Sequence, residues 1–223
     1  MQSPQLLDFL SATVVVGGTV LATALRSGME DCRLTLTALA ALPRPRFRAA
    51  DVRAAVAPLA ARIRQDGLLR VQFRPLGDRA FDDSLAVLAQ SRSIQTMAEH
   101  HAEGRVSRLY AAAAAVRTLA QAAELGPVFG LAGTLISLSQ LPADGLARSM
   151  FMGAISTAVL STLYGLLLAN MVFAPLARAI ERRAESEEND RQALFEWMAS
   201  QLAPAFSTER RALDRSFMPR EVA

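Results

Sequence analysis

Three stretches without a charged side chain constrain this protein more than anything else in it: Phe9 to Leu25, Leu125 to Ala143 and Ser149 to Ala177. As helices rising 1.5 Å per residue they reach roughly 26, 28 and 43 Å, against a hydrocarbon core of about 30 Å. The third crosses a bilayer with residues to spare; the first two need their flanks or local thinning. A chain of 223 residues, 52% hydrophobic, could otherwise form one or two soluble domains. Apolar residues gathered into three runs, with charge everywhere else, point to the membrane instead. The first run reads as a retained span and not a signal peptide. Asp8 stands where a basic n-region belongs, and no clear small-x-small cleavage site follows.

Arginine placement orients the spans. Arg26 and Arg33 follow the first run, Arg105, Arg108 and Arg117 precede the second, and Arg178, Arg182 and Arg183 follow the third. The segment between the last two runs carries only Asp144 and Arg148. By the positive-inside rule, residues 26–124 and 178–223 are expected in the cytoplasm. The layout is a first transmembrane span over 1–27, a cytoplasmic helical domain over 28–123, a two-span domain over 124–177 and a cytoplasmic helical tail over 178–223.

The expected fold class is all-α: a helical integral membrane protein with three transmembrane helices and long cytoplasmic helical extensions. Residues 28–41 extend the first span until the prolines of Leu42 to Arg48 break it. A helix follows from about Ala50 to Asp66, kinked or restarted at Pro58, with Gly67 placed as its C-cap. From Phe81 one long, alanine-rich helix runs towards the second span. The tail continues the third span to about Pro204, its charge run read as a solvated face. Nothing reads as strand.

Several function classes fall away. All 24 basic residues are arginines, set among 21 acids with no aromatic platform beside them, so nucleic acid is not an expected partner. Cys32 stands alone and can form neither an internal disulfide nor a zinc cluster. His100 and His101 point about 100° apart on a helix; both are expected to be solvated, and no metal site is expected. The chain has no Gly-x-Ser-x-Gly, phosphate loop or His-Glu-x-x-His, so neither enzymatic activity nor a cofactor is expected.

The polar residues within the runs leave two readings open. Thr134 sits at the centre of the second run and Thr162 one residue from the centre of the third. Two hydroxyls thus reach nearly the same depth on sequential, antiparallel spans. Gly126 and Gly130 form a small-xxx-small pair, Gly133 extends it, and Thr157, Ser161 and Gly165 share a face at i, i+4 spacing. Such surfaces let backbones approach closely, so one reading is helix packing alone. The other is the wall of an ion path. The runs hold no Asp, Glu, Lys, Arg or His, whereas a proton relay normally needs a titratable group; on that reading the carboxylate must come from another chain.

"GPVFGLAGTLISL" followed by "ISTAVLSTLYGLLLANMVFAPLA" resembles the last two spans of MotA-type flagellar stator subunits, within the MotA/TolQ/ExbB proton-channel superfamily. "FLSATVVVGGTVLATAL" resembles that family's second span, and "LAARIRQDGLL" a segment of its cytoplasmic domain. The chain is therefore expected to lack the family's first span. The resemblance implies a homopentamer, in membrane lipid, around a MotB-like single-span partner that supplies the membrane Asp. It also implies transported H⁺ or Na⁺, torque on a flagellar rotor protein, and a multi-pass place in the bacterial inner membrane. By the same resemblance Thr134, Thr162 and Ser161 line the ion path, Pro127 and Pro175 couple ion passage to movement, and Arg64 engages the rotor. Gln72 stands where the family usually has an acidic rotor-contact residue, and Ser137 where glycine is common. Two other functions fit the same pattern: a TolQ/ExbB-like energiser of envelope transport and a non-conducting membrane scaffold.

Overall fold

The computed structural model describes residues 9–66, 78–139 and 148–217, and every regular element among them is helical. Helix α1 (Phe9–Ala41) is interrupted at Gly28, whose φ of 80° and ψ of 166° lie in a region open in practice to glycine alone. Helix does extend over residues 28–41, as expected, but the chain turns at Gly28 before it resumes. Thr19 and Thr23 each donate to the carbonyl four residues back, at 2.6 and 2.7 Å. A hydroxyl satisfied by its own helix can lie in a lipid-crossing segment without a further partner.

Helix α2 (Ala49–Asp66) runs through Pro58 without a break. Helix α3 (Arg79–Ser91) is N-capped by Asp78, whose carboxylate accepts from the backbone N–H groups of Ala80 and Phe81. It closes on Arg92 in the left-handed region. Helix α4 (Ile94–Ser139) restarts there, with Ser93 Oγ accepting from Thr96 N at 3.2 Å. The single long helix expected from Phe81 is thus two, because the Ser91-Arg92-Ser93 turn bonds locally instead of continuing the helix.

Helix α5 (Arg148–Leu167) passes into a π-helical turn (Leu168–Phe173) and then helix α6 (Ala174–Phe217). Pro204 does not end α6 as expected; the strong helix formers in Glu209 to Arg215 carry it past the one lost hydrogen bond. Among the described residues three helical stretches, Ser11–Ala41, Ile94–Ser139 and Phe151–Pro204, are long and apolar enough to cross a membrane. We take their uncharged portions as the membrane-spanning segments.

The chain forms two compact units. One comprises the chain up to Arg44 together with Tyr110–Arg183. Its packed centre beside the spans is Ala115, Leu119, Ala177 and Ile180, against Leu39, Leu42 and Phe173. Arg183 Nη1 donates to the carbonyls of Ala41 and Leu42, both at 2.8 Å, and so caps the end of α1.

The other unit comprises Pro45–Leu109 and the chain from Ala184. Its core joins Val52, Val56 and Ile63 of α2, Phe81, Leu85 and Leu88 of α3, Met97 of α4, and Phe195, Met198 and Leu202 of α6. The charge run of the tail is not wholly a solvated face. Glu188 is buried and receives two hydrogen bonds from Arg108, both 2.8 Å, while Arg191 reaches Asp78 at 3.1 Å. His101 departs from expectation too: it is 3% exposed, stacked on Phe195.

Candidate functional site

Helices α4 and α5 meet along a seam of glycines. A Cβ built on Gly126 would stand 2.8 Å from Gly165 O, and one on Gly130 would stand 3.1 Å from Ser161 O. On Gly133 it would lie 2.9 Å from Ser161 Cβ, and on Gly165 it would collide with Gly126 O. Backbone therefore touches backbone over two turns, the closest packing two helices can reach. Gly126, Gly130, Gly133 and Gly165 all lie along this contact.

That seam sets where the hydroxyls lie. Ser161 is fully buried against Gly133 and donates to Thr157 O at 3.0 Å, which makes it part of the helix contact. Thr162, whose Cα backs onto Gly130, is half-buried with only a long 3.5 Å contact to Ala158 O. Thr134 is half-buried and donates to Leu131 O at 2.6 Å. Ser137 and Asn170 likewise donate to carbonyls of their own turns. Thr162 thus has the weakest intrahelical bond of the group and the hydroxyl most free to turn to another partner.

The two prolines stand differently. Pro127 lies within α4 directly after Gly126 in the seam, and its helix continues regularly. Pro175 is exposed at the second position of α6, just beyond the π-helical turn. Its ring would crowd the carbonyl of Met171 four residues back and it offers no N–H. Widening the preceding turn relieves this, and Ala174 N–H reaches five residues back to Ala169 O. The inserted π turn was not anticipated from the sequence.

Arg64 lies in α2, but its side chain, Gln72, Gly67 and the Asp144 loop are outside the described residues. Among the described residues no three His, Cys, Asp or Glu side chains gather where a metal could bind. Two contacts escaped the sequence reading: the Phe129 ring lies against Gly18, and Ser27 Oγ donates to Gln121 Oε1 at 2.8 Å. Gly17-Gly18 was a visible signal that α1 admits a bulky neighbour; the Ser27–Gln121 pair had no local signal.

A sequence model of the MotA/TolQ/ExbB proton channel family matches residues 74–193, more than half of the chain. This protein belongs to that family. The matched region takes in the whole seam, the π turn and the half of α6 that carries Glu188 and Arg191. Among its relatives, the family member is 34% identical over 116 residues to the uncharacterized protein YtxD of Bacillus subtilis, covering 52% of this chain and 39% of that one. It is 25% identical over 193 residues to motility protein A of Cereibacter sphaeroides, covering 85% of this chain and 75% of that one. Its fold is that of a chain in the flagellar MotAB stator complex of Bacillus subtilis, with a TM-score of 0.79 at 18% identity over 96% of this chain and 86% of that one.

Proposed function

We propose that this family member is a stator-type subunit of an ion-driven, flagellar-type motor in the bacterial inner membrane. It forms one wall of an ion path, and a MotB-like single-span partner supplies the membrane Asp. Thr134 and Thr162 face the path, with Ser161 close behind in the seam. One observation carries this reading: the glycine-tight α4/α5 pair presents Thr162 with its hydroxyl barely engaged, in spans without an acid or base of their own. A hydroxyl can solvate a hopping proton or ligate Na⁺, but it cannot relay charge by titrating. Exposed Val159, Leu163, Leu166 and Met171 give the pair an apolar outer face for lipid, for other copies in a pentamer, and for the partner span. The likeness to motility protein A supports the motor reading.

The test is a pair of substitutions in the complex co-purified with its single-span neighbour and reconstituted in liposomes. Thr162→Val keeps shape and removes the free hydroxyl, so ion flux is expected to fall at least tenfold with the complex intact. Ser161→Ala removes a hydroxyl committed to Thr157 O, and flux is expected to stay within about twofold. Equal flux in Thr162→Val and wild type would leave packing as the whole role of the seam.

A further inference from the structure

We propose that His101, held between Phe81 and Phe195, is a proton-sensitive latch that loosens the unit Pro45–Leu109 and Ala184 onward when the aqueous phase beside it acidifies. The imidazole stacks on Phe195 with centroids 4.1 Å apart and an interplanar angle of 11°, and lies 6.0 Å from the Phe81 ring. The residue is buried, and neither Nδ1 nor Nε2 has a hydrogen-bond partner among the described residues. The ring acts here as a flat apolar plug linking α3, α4 and α6. Its neutral form leaves one N–H unbonded in that position; the protonated form would bury two and add a charge.

The surrounding charges do not rescue the cation. Arg105 and Arg108 bear on it from α4, and Arg191 with Glu188 from α6. Glu188 is already taken on both oxygens by Arg108. Helix α3 presents Phe81, and its capping Asp78 is paired to Arg191. Three guanidinium groups face one occupied carboxylate. Attraction of an imidazolium to the flanking ring faces is real, but it satisfies neither N–H. Burial first, then the Arg108 charge, holds the imidazole below its ordinary 6.5.

The sign of the effect is set by that depression. The unfolded or opened chain takes up a proton near pH 6.5, while the closed unit does so only at lower pH. Stability of the closed form therefore falls as pH drops below 6.5, by up to about tenfold in the opening equilibrium per pH unit, until the lower value is passed. His100, the only other histidine, is exposed in the same solvent, and it provides an internal control. The inference stands whether or not the chain conducts ions.

The experiment is amide hydrogen exchange by mass spectrometry on the full chain in detergent, from pH 7.5 to 5.5, corrected for intrinsic exchange chemistry. Peptides from α3 and from residues 184–204 are expected to lose up to about tenfold in protection per pH unit below 6.5 in wild type and His100→Gln. In His101→Phe, which keeps a stacked ring, protection is expected to stay flat. A flat wild-type profile, or the same loss in His101→Phe, overturns the latch. Should His101→Phe not fold, ¹³C-histidine NMR of wild type decides. The His101 resonance, identified by comparison with His100→Gln, is expected to titrate clearly below 6.5; titration of His101 at 6.5 overturns the proposal.

Discussion

Gly165 shows how much one absent side chain can decide. Its place against Gly126 is set by carbonyl contact, and a methyl there has nowhere to go except by parting α4 from α5. Gly165→Ala is expected to destabilise the solubilised protein by about 1–3 kcal/mol, the usual cost of overpacking a close contact, read as a lowered thermal midpoint in detergent. Gly153 is the control: nothing lies within 4 Å of the position a Cβ would take. Gly153→Ala is expected to leave stability unchanged or raised by up to about 1 kcal/mol through helix propensity. If Gly153→Ala is neutral in the isolated chain but disrupts the assembled complex, a neighbouring chain packs on that face. The sequence marked these glycines by spacing, but spacing could not separate Ser161, which faces into the seam, from Thr162, which stands beside it.

At the scale of elements, the π turn before Pro175 sets the rotational phase of α6. One extra residue per turn rotates the downstream helix by about 100° relative to an uninterrupted α-helix. Ala177 and Ile180, which pack against Ala115 and Leu119, are set in phase by that turn. Pro175→Ala restores an N–H and removes the ring that an α-helical turn would press against the Met171 carbonyl, so the turn is expected to relax to α-helix. Insertion should persist while ion-driven function falls several-fold, and spin-label distances from the third span to α6 should change by a few ångströms. Unchanged distances and unchanged function would show that packing, not the proline, holds the π turn. Pro175 was legible in the sequence as a place where the helix can bend. How the backbone absorbs it depends on which of two hydrogen-bond registers the neighbouring helices favour.

For the molecule as a whole, buried charge ties the non-membrane unit together. Arg108 hydrogen bonds and charge hold Glu188 below the ordinary carboxylate range, outweighing a burial that alone would raise it, and Glu188 in turn raises Arg108. Arg108→Ala leaves a buried carboxylate without its partner and is expected to cost about 3–5 kcal/mol, measured by chemical denaturation in detergent. Because the folded value of Glu188 lies below its unfolded 4.5, its contribution is complete at neutral pH and is lost as pH falls below 4.5 through the folded value. Acid unfolding of wild type is therefore expected to steepen below pH 4.5, and Glu188→Gln is expected to flatten that limb. The Glu188 response begins only below pH 4.5, whereas that of His101 begins below 6.5.

The three spans, their order and the closeness of the last two were determined by the sequence alone. Long uncharged runs have no stable place in water, and glycines at i, i+4 leave a helix face that only another backbone fills. The burial of His101 and the pairing of Glu188 with Arg108 were decided by tertiary structure. Each depends on which distant helix occupies the neighbouring space: a histidine in a charged stretch looks solvated until Phe81 and Phe195 close over it. A local pattern shows which faces must be covered, and only the assembled chain shows what covers them.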